Sequence, residues 1–188
     1  MTKTLLATAL LAAAGLAQAQ SATYHVEPTH TFVYFEAKHA GTSTLRGRFE
    51  KKDGSVQIDR AAKTGKAEIT IDLSSVSTGV GPLDGHLKGK DFFDVASHPS
   101  AKFVGDKFVF DGDKVSEVSG TLTLAGKSNP VTLKATGFNC FQSPMLKREV
   151  CGGDFETTLV RSQYGLVYGL PGIPDNIRLL IQIEAIKQ

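Results

Sequence analysis

The chain of 188 residues contains no tryptophan, only two cysteines and no apolar run long enough to cross a membrane as a helix. Neither sign of charge dominates, because 21 Lys and Arg residues stand against 19 Asp and Glu residues. The basic residues do not cluster, so the basic stripe that is typical of nucleic-acid-binding domains is missing and no nucleic-acid partner is expected. Charged residues make up 21% and hydrophobic residues 41% of the chain, a balance that excludes a disordered protein.

The first nineteen residues have the form of a cleaved export signal. Lys3 supplies a positive charge, residues 5–16 are apolar or small, and Ala17-Gln18-Ala19 places small residues where a signal peptidase reads them. No cysteine stands directly after this cleavage site, which argues against a lipoprotein anchor. We therefore expect residues 1–19 to be removed, and residues 20–188 to form one periplasmic domain without a stable membrane anchor.

The two cysteines, Cys140 and Cys151, lie close together in the sequence. In an exported chain such a pair is most simply a disulfide, and two free thiols are the alternative. Closing so short a loop contributes on the order of 2–3 kcal/mol. A redox function is not expected, because the C-x-x-C spacing is absent.

Apolar and polar residues alternate with a period of two over most of the chain. In the clearest segment Ala67, Ile69, Ile71 and Leu73 alternate with polar residues, as expected for a strand with one buried face. Such strands bury their apolar faces in two stacked sheets or in one closed barrel. Their length and the 11 phenylalanines favour an all-β, antiparallel barrel of about eight strands, which leaves room for a small ligand.

Turns and short helices interrupt this pattern. Asp53-Gly54 and Gly105-Asp106 have turn composition and predict breaks between strands. Residues 81–93 have leucines at helical spacing and a proline suited to a first turn, and a second short turn is expected at 162–166. Within the first of these segments, Phe92-Phe93 predicts either a plug for one barrel end or a gate over a cavity.

Several polar residues are candidates for a binding site. The five histidines predict no metal site, because no two of them have the spacing of common ligand pairs. His39 continues an alternating strand and is expected to point inward, whereas His86 in the helical segment is expected near a cavity mouth. Arg161 is expected to bond backbone carbonyls or a carboxylate. In the alternative, Arg161 or Lys88 holds an anionic head group at the barrel rim.

Four blocks of the sequence resemble one bacterial family. They read HTFVYFEAKHAGTSTLRGRF (30–49), STGVGPLDGHLKGKDFFDVASHPSAKFVG (77–105), GTLTLAGKSNPVTL (120–133) and RSQYGL (161–166). The chain thereby resembles the YceI-like proteins, which are exported, lipocalin-like barrels that bind polyisoprenoid lipids. It departs from the family pattern at Leu83, where an arginine is usual, and at Tyr164, where a phenylalanine is usual.

The resemblance implies a lipocalin-like barrel that holds a long isoprenoid lipid, such as a polyprenyl phosphate or an isoprenoid quinone, and that needs no cofactor. Together with the alternation it predicts a binding protein rather than an enzyme, and whether two copies form a homodimer stays open. The predicted cavity lining consists of Val33, Phe35, Phe49, Ile69, Ile71, Leu87, Phe92, Phe103, Leu122, Leu133, Phe155 and Ile181. The predicted mouth or head-group residues are His39, His86, Lys88 and Arg161.

Two other functions remain open at this point. One is an enzyme that acts on a hydrophobic substrate inside the same cavity. Its best titratable pair is His39 with Glu36 or Asp72. The other is an interaction module whose core is filled and which has no cavity.

Overall fold

The computed structural model describes residues 21–188, so the predicted signal sequence and its cleavage site lie outside the described residues. None of the helices in this part of the chain is long and apolar enough to span a membrane. The elements are β1 (Ala22–Val26), β2 (Phe32–His39), β3 (Ser43–Phe49), β4 (Lys52–Asp59), β5 (Thr64–Asp72), β6 (Val76–Ser77), α1 (Gly81–Lys88), β7 (Ser100–Asp111), β8 (Lys114–Leu124), β9 (Lys127–Ser143), β10 (Arg148–Val160) and β11 (Asn176–Lys187). Two 3-10 turns, Leu73–Ser75 and Arg161–Tyr164, complete them.

The strand segments form an antiparallel barrel of eight strands. Segments β1 and β2 both pair with β11 and behave as one interrupted strand. Segments β3 and β4 pair with them in the same way, and β5 continues into β6 after the turn Leu73–Ser75. The pairing of β1 with β11 closes the sheet. The predicted all-β barrel of about eight strands is therefore confirmed.

The alternation in sequence becomes an inner and an outer face. In β5, Ala67 and Ile71 are buried inside the barrel, whereas Lys66 and Thr70 are exposed outside it. Because successive side chains of a strand point to opposite faces, the same rule places the apolar residues of β8 and β10 inward. Helix α1 begins with Pro82 in its first turn and buries Leu87 against the barrel core.

Two predicted turns are wrong, because the glycines in question lie inside strands, where an added Cβ would collide with a neighbouring group. Gly54 lies inside β4 with a φ of +154°, and a Cβ there would collide with the carbonyl oxygen of Glu68. Gly105 lies inside β7, where a bulge shifts the register between Gly105 and Lys107. Helix α1 likewise ends at Lys88 instead of residue 93, and the second helical turn begins one residue earlier, at Arg161.

The predicted disulfide is confirmed. Cys140 and Cys151 are bonded and lie directly opposite each other in β9 and β10. The two strands continue past them to Ser143 and Arg148, so the bond joins partners within a hairpin rather than strand ends. The bond stabilises the folded hairpin because it reduces the number of conformations that the unfolded chain can adopt.

Candidate binding cavity

The barrel encloses a cavity of about 630 Å³ at the end where β10 finishes and β11 begins. Its wall is mostly apolar, and exposed members of the wall, including Lys38, His39 and Tyr168, mark its opening. Seven of the predicted lining residues lie in this wall: Val33, Phe35, Phe49, Ile71, Leu87, Phe92 and Leu122. A cavity of this size matches those that hold small ligands. It does not match the alternative of a filled core.

A smaller cavity of about 130 Å³ lies next to it. The two cavities share Val33, Ile71, Leu122 and Leu179, so they adjoin each other along the barrel. The remaining predicted lining residues lie around the smaller cavity: Ile69, Phe103, Leu133, Phe155 and Ile181. Together the two cavities offer an elongated apolar space.

Three rings form an aromatic cluster at the opening, here called the mouth cluster: His86, Phe92 and Tyr168. The centroid of the His86 ring lies 5.0 Å from each of the other two rings, and those two are 5.3 Å apart. Nε2 of His86 is also 3.0 Å from Oδ2 of Asp91. Phe93 instead packs edge-on against Phe49 at 5.6 Å. The Phe92-Phe93 pair therefore contributes one ring to the mouth and one to the core.

The four predicted mouth residues have different positions. His86 lies in the mouth cluster. His39 borders the larger cavity but is exposed at the end of β2, so the expectation that it points into the core is wrong. Lys88 is half-buried and does not line either cavity. The last carbonyl groups of α1 accept hydrogen bonds from the amides of Gly89, Phe93 and Val95.

Arg161 borders the cavity, but its guanidinium group is used by the protein itself. The group is buried and donates hydrogen bonds to the carbonyl oxygens of Pro174 (2.9 Å), Leu166 (2.6 Å) and Ile173 (2.9 Å). Burial lowers the pKa of Arg161, while the nearby charge of Asp175 opposes this effect. The expectation that Arg161 bonds backbone carbonyls is confirmed, and its bonds fix the loop between the second 3-10 turn and β11.

The titratable pair suggested for an enzyme does not form. Glu36 accepts hydrogen bonds from Arg46 and Arg178, and these bonds, the one from Arg46 first, lower its pKa. Asp72 accepts bonds from the amide and hydroxyl groups of Ser74, which lower the pKa of Asp72. Neither carboxylate lines the cavity that His39 borders. Across residues 21–188, no cluster of three or more His, Cys, Asp or Glu side chains is placed to hold a metal ion.

Sequence reasoning missed several residues of the cavity wall. Leu124, Leu159 and Leu179 follow the same alternation as the predicted residues and could have been included. Tyr164 and Ile173 lie in non-periodic segments, where no pattern indicates which side chains face inward. Their positions follow from the loop that Arg161 holds.

Comparison with known proteins identifies the family. The sequence model described as the YceI-like domain matches residues 24–185. The chain belongs to the YceI-like family. A UPF0312 protein of Pseudomonas aeruginosa strain LESB58 is 35% identical over 190 aligned residues, which cover 99% of this chain and 98% of that protein.

Solved structures of YceI-like and related proteins have the same fold. The crystal structure of Burkholderia cenocepacia BcnA matches with a TM-score of 0.70 and 25% identity, covering 85% of this chain and 99% of that one. A polyisoprenoid binding domain from Saccharophagus degradans matches with a TM-score of 0.62 over 88% of this chain and 98% of that one. Its identity is 17%, so this second likeness shows the fold alone.

Within the YceI-like family, the departure at Leu83 changes the character of the cavity wall. The side chain of Leu83 on α1 lines the larger cavity, and arginine is the residue that the family pattern usually has there. The helix therefore adds apolar surface to the wall at this position. Lys88 on the same helix supplies no cation to the wall, because it lines neither cavity.

Proposed function

We propose that this protein binds a long, apolar lipid of isoprenoid type in its barrel and holds it in the periplasm. The observation that carries the proposal is the apolar cavity of about 630 Å³, extended by a second one of about 130 Å³. The fold is shared with the polyisoprenoid binding domain from Saccharophagus degradans, which supports the same class of ligand.

The driving force of binding is the removal of apolar surface from water. Each Å² that the ligand and the wall bury together contributes roughly 25 cal/mol. A linear isoprenoid carries no hydrogen-bonding groups along its chain, so it loses no polar contacts with water when it enters. The phenylalanine, leucine and isoleucine side chains of the wall suit such a chain.

The polar groups near the cavity suit a protein that binds a ligand without catalysing a reaction. The donors of Arg161 are occupied by backbone carbonyls, and His86 contacts Asp91. Neither carboxylate of the pair suggested for an enzyme, Glu36 or Asp72, lines the larger cavity. The proposal needs the lipid alone and no cofactor.

We expect protein purified from its native host to carry the lipid. Organic extraction followed by mass spectrometry should recover one predominant long-chain isoprenoid species in roughly stoichiometric amount, and its mass distinguishes a quinone from a polyprenyl phosphate. Denatured protein washed free of ligand and refolded is the control for carry-over. Protein that carries no lipid, and that takes up none from mixtures of isoprenoid quinones and polyprenyl phosphates, contradicts the proposal.

The periplasmic location has its own test. Intact-mass measurement of the protein from the native host should show a chain that begins at Gln20 or at its cyclised form, because the signal peptidase is expected to cut after Ala19. Replacing Ala17 and Ala19 with bulky residues should leave the leader attached. A mature pool that retains Met1 contradicts export.

A further inference from the structure

Three apolar side chains at the cavity opening serve neither the core nor the cavity. Val80 is 51% exposed directly before α1, and Val167 (57%) and Leu170 (36%) lie in the loop between the second 3-10 turn and β11. They line neither cavity, whereas their neighbours in the chain, Leu83 and Tyr168, line the larger one. The three side chains therefore stand beside the opening and face water, and together they are called the mouth rim.

The loop that carries Val167 and Leu170 is fixed by hydrogen bonds. At its two ends, the buried guanidinium group of Arg161 donates to the carbonyl oxygens of Leu166 (2.6 Å) and Ile173 (2.9 Å). Within the loop, the amide of Leu170 donates to the carbonyl oxygen of Val167 (3.3 Å). An ordered loop thus holds apolar side chains out in water, where they add nothing to the stability of the isolated protein.

Exposed lysines surround the same opening. Lys38 lines it on the side of β2, and Lys90 follows α1. Lys127 lies beside the loop, because its Nζ is 3.0 Å from the position that a Cβ on Gly165 would occupy. Among residues 21–188, none of these three lysines has a carboxylate oxygen within 4.0 Å.

The carboxylates at this end of the barrel are bonded to other groups of the protein or partly covered. Asp84 and Asp175 each accept two hydrogen bonds from the amide and hydroxyl groups of a nearby threonine or serine. Asp91 contacts His86 at 3.0 Å, and Asp94 is half-buried. The lysines are therefore the charged groups best placed to meet a partner, and their charge favours an anionic one.

We propose that the mouth rim docks onto a lipid bilayer with anionic head groups, so that a lipid passes between the bilayer and the barrel without crossing water. This inference rests on the proposed function. The apolar side chains of the rim enter the boundary between head groups and acyl chains, and the lysines contact the head groups. A long isoprenoid lipid crosses water very slowly because its apolar surface is then exposed, and an opening set against the bilayer removes that step.

The opposite end of β10 supplies matched controls. Met145, in the turn between β9 and β10, is 89% exposed, and Lys147 in the same turn is exposed as well. Neither residue lines the larger cavity. This turn has the same kinds of side chain as the mouth rim, but docking through it would not bring the opening to the bilayer.

The test is the double variant Val80→Ser, Val167→Ser, with Met145→Ser as its control. Vesicles made of equal parts of phosphatidylglycerol and phosphatidylcholine carry geranylgeraniol as the probe. Co-sedimentation measures docking, and extraction followed by mass spectrometry measures uptake. We expect the double variant to dock about tenfold more weakly and to take up the probe correspondingly more slowly, because two valines no longer enter the bilayer boundary. Met145→Ser should stay within about twofold of wild type.

Two further measurements separate docking from binding and from charge. Geranylgeraniol added from ethanol, without vesicles, should bind wild type and the double variant with affinities within about twofold, because neither valine lines a cavity. Lys90→Gln should weaken docking about fivefold on the vesicles with phosphatidylglycerol, the usual weight of one lysine at an anionic surface, and should not change it on phosphatidylcholine alone. Lys147→Gln should change neither.

The outcomes separate this inference from the proposed function. If wild type takes up geranylgeraniol neither from ethanol nor from vesicles, the proposed function fails. If it binds the probe from ethanol and the double variant docks as well as wild type, docking through the mouth rim is overturned while lipid binding stands. Loss of docking in Met145→Ser alone overturns it too, because the other end then meets the bilayer. A wild-type dimer that the double variant converts to a monomer assigns the rim to a second copy instead. Equal docking of wild type to both kinds of vesicle contradicts the anionic head groups.

Discussion

Leu122→Asp should abolish lipid uptake. Leu122 lies in β8, is 8% exposed and borders both cavities, so an aspartate there places a carboxylate in the middle of the apolar space. A charge buried without a partner costs several kcal/mol, which corresponds to a loss of more than about a hundredfold in affinity. The measurement is lipid uptake from vesicles, followed by extraction and mass spectrometry.

The structure favours Leu122 over Ile71, the position that the alternation alone selects. Ile71 pairs across the sheet with Lys52, whose buried side chain lies 4.0 Å from the ring of Phe32. Burial lowers the pKa of Lys52. An aspartate at position 71 can attract this ammonium group and recover part of its cost. The strand neighbours of Leu122 are Phe103 and Asn129, which offer no cation.

Thr121→Asp is the control for the first prediction. Thr121 is the adjacent residue of β8 and is exposed on the outer face, so the same charge there should leave uptake within about twofold of wild type. Because Leu122→Asp also lowers stability, Ala37→Phe provides a second variant that adds no charge. The Ala37→Phe variant places an aromatic ring in the larger cavity and should reduce lipid uptake with little loss of Tm. Normal uptake by both cavity variants places the ligand elsewhere.

Arg161→Leu should lower the free energy of unfolding by about 3–5 kcal/mol, the usual cost of leaving buried partners of a charged group unpaired. Three carbonyl oxygens, those of Leu166, Ile173 and Pro174, lose their donor at once. The loop that contributes Tyr168 and Ile173 to the cavity wall loses its attachment as well, so lipid affinity should fall with stability. Urea unfolding followed by circular dichroism measures the change.

Two further variants make this prediction specific. Arg161→Lys keeps the charge, but lysine lacks the planar guanidinium group that reaches all three carbonyl oxygens. It should therefore recover only a minor part of the lost free energy of unfolding. Arg178→Leu removes an arginine that is 51% exposed and paired with Glu36 and Glu156 on the surface, and should cost less than about 1 kcal/mol. Equal losses for Arg161→Leu and Arg178→Leu contradict the structural role of Arg161.

The barrel and most of the cavity wall were predictable because they depend on local alternation. Ile71, Leu122 and Phe155 face inward for the same reason that Lys66 and Thr70 face outward, and in a barrel with an internal cavity the inward residues become its wall. The strand positions of Gly54 and Gly105 were not predictable, because the sequence shows a glycine but not the group that approaches it, which is the Glu68 carbonyl at Gly54 and the Val118 side chain at Gly105. Glycine serves both purposes equally well.

The polar details were less accessible to sequence reasoning. The three carbonyl groups around Arg161 come from a loop without periodicity. Among residues 21–188, the Tyr164 hydroxyl has no hydrogen-bond partner because the side chains around it offer no polar atom within reach. The burial of Lys52 also depends on its contact with the ring of Phe32, which lies twenty residues earlier in the chain. Such features arise when the tertiary structure brings together groups that no short pattern connects.

The closure of the barrel by β11 has a consequence for the timing of assembly. The hairpins from β7 to β11 join neighbours in sequence and can form as soon as their strands are available, whereas β11 must also find β1 and β2 at the opposite end of the chain. Such distant pairings are the slow steps of folding. Until these pairings form, the apolar inner face of the unclosed sheet is exposed to water. A lipid present at that moment can be wrapped by the closing sheet, whereas one that arrives later must pass the mouth cluster.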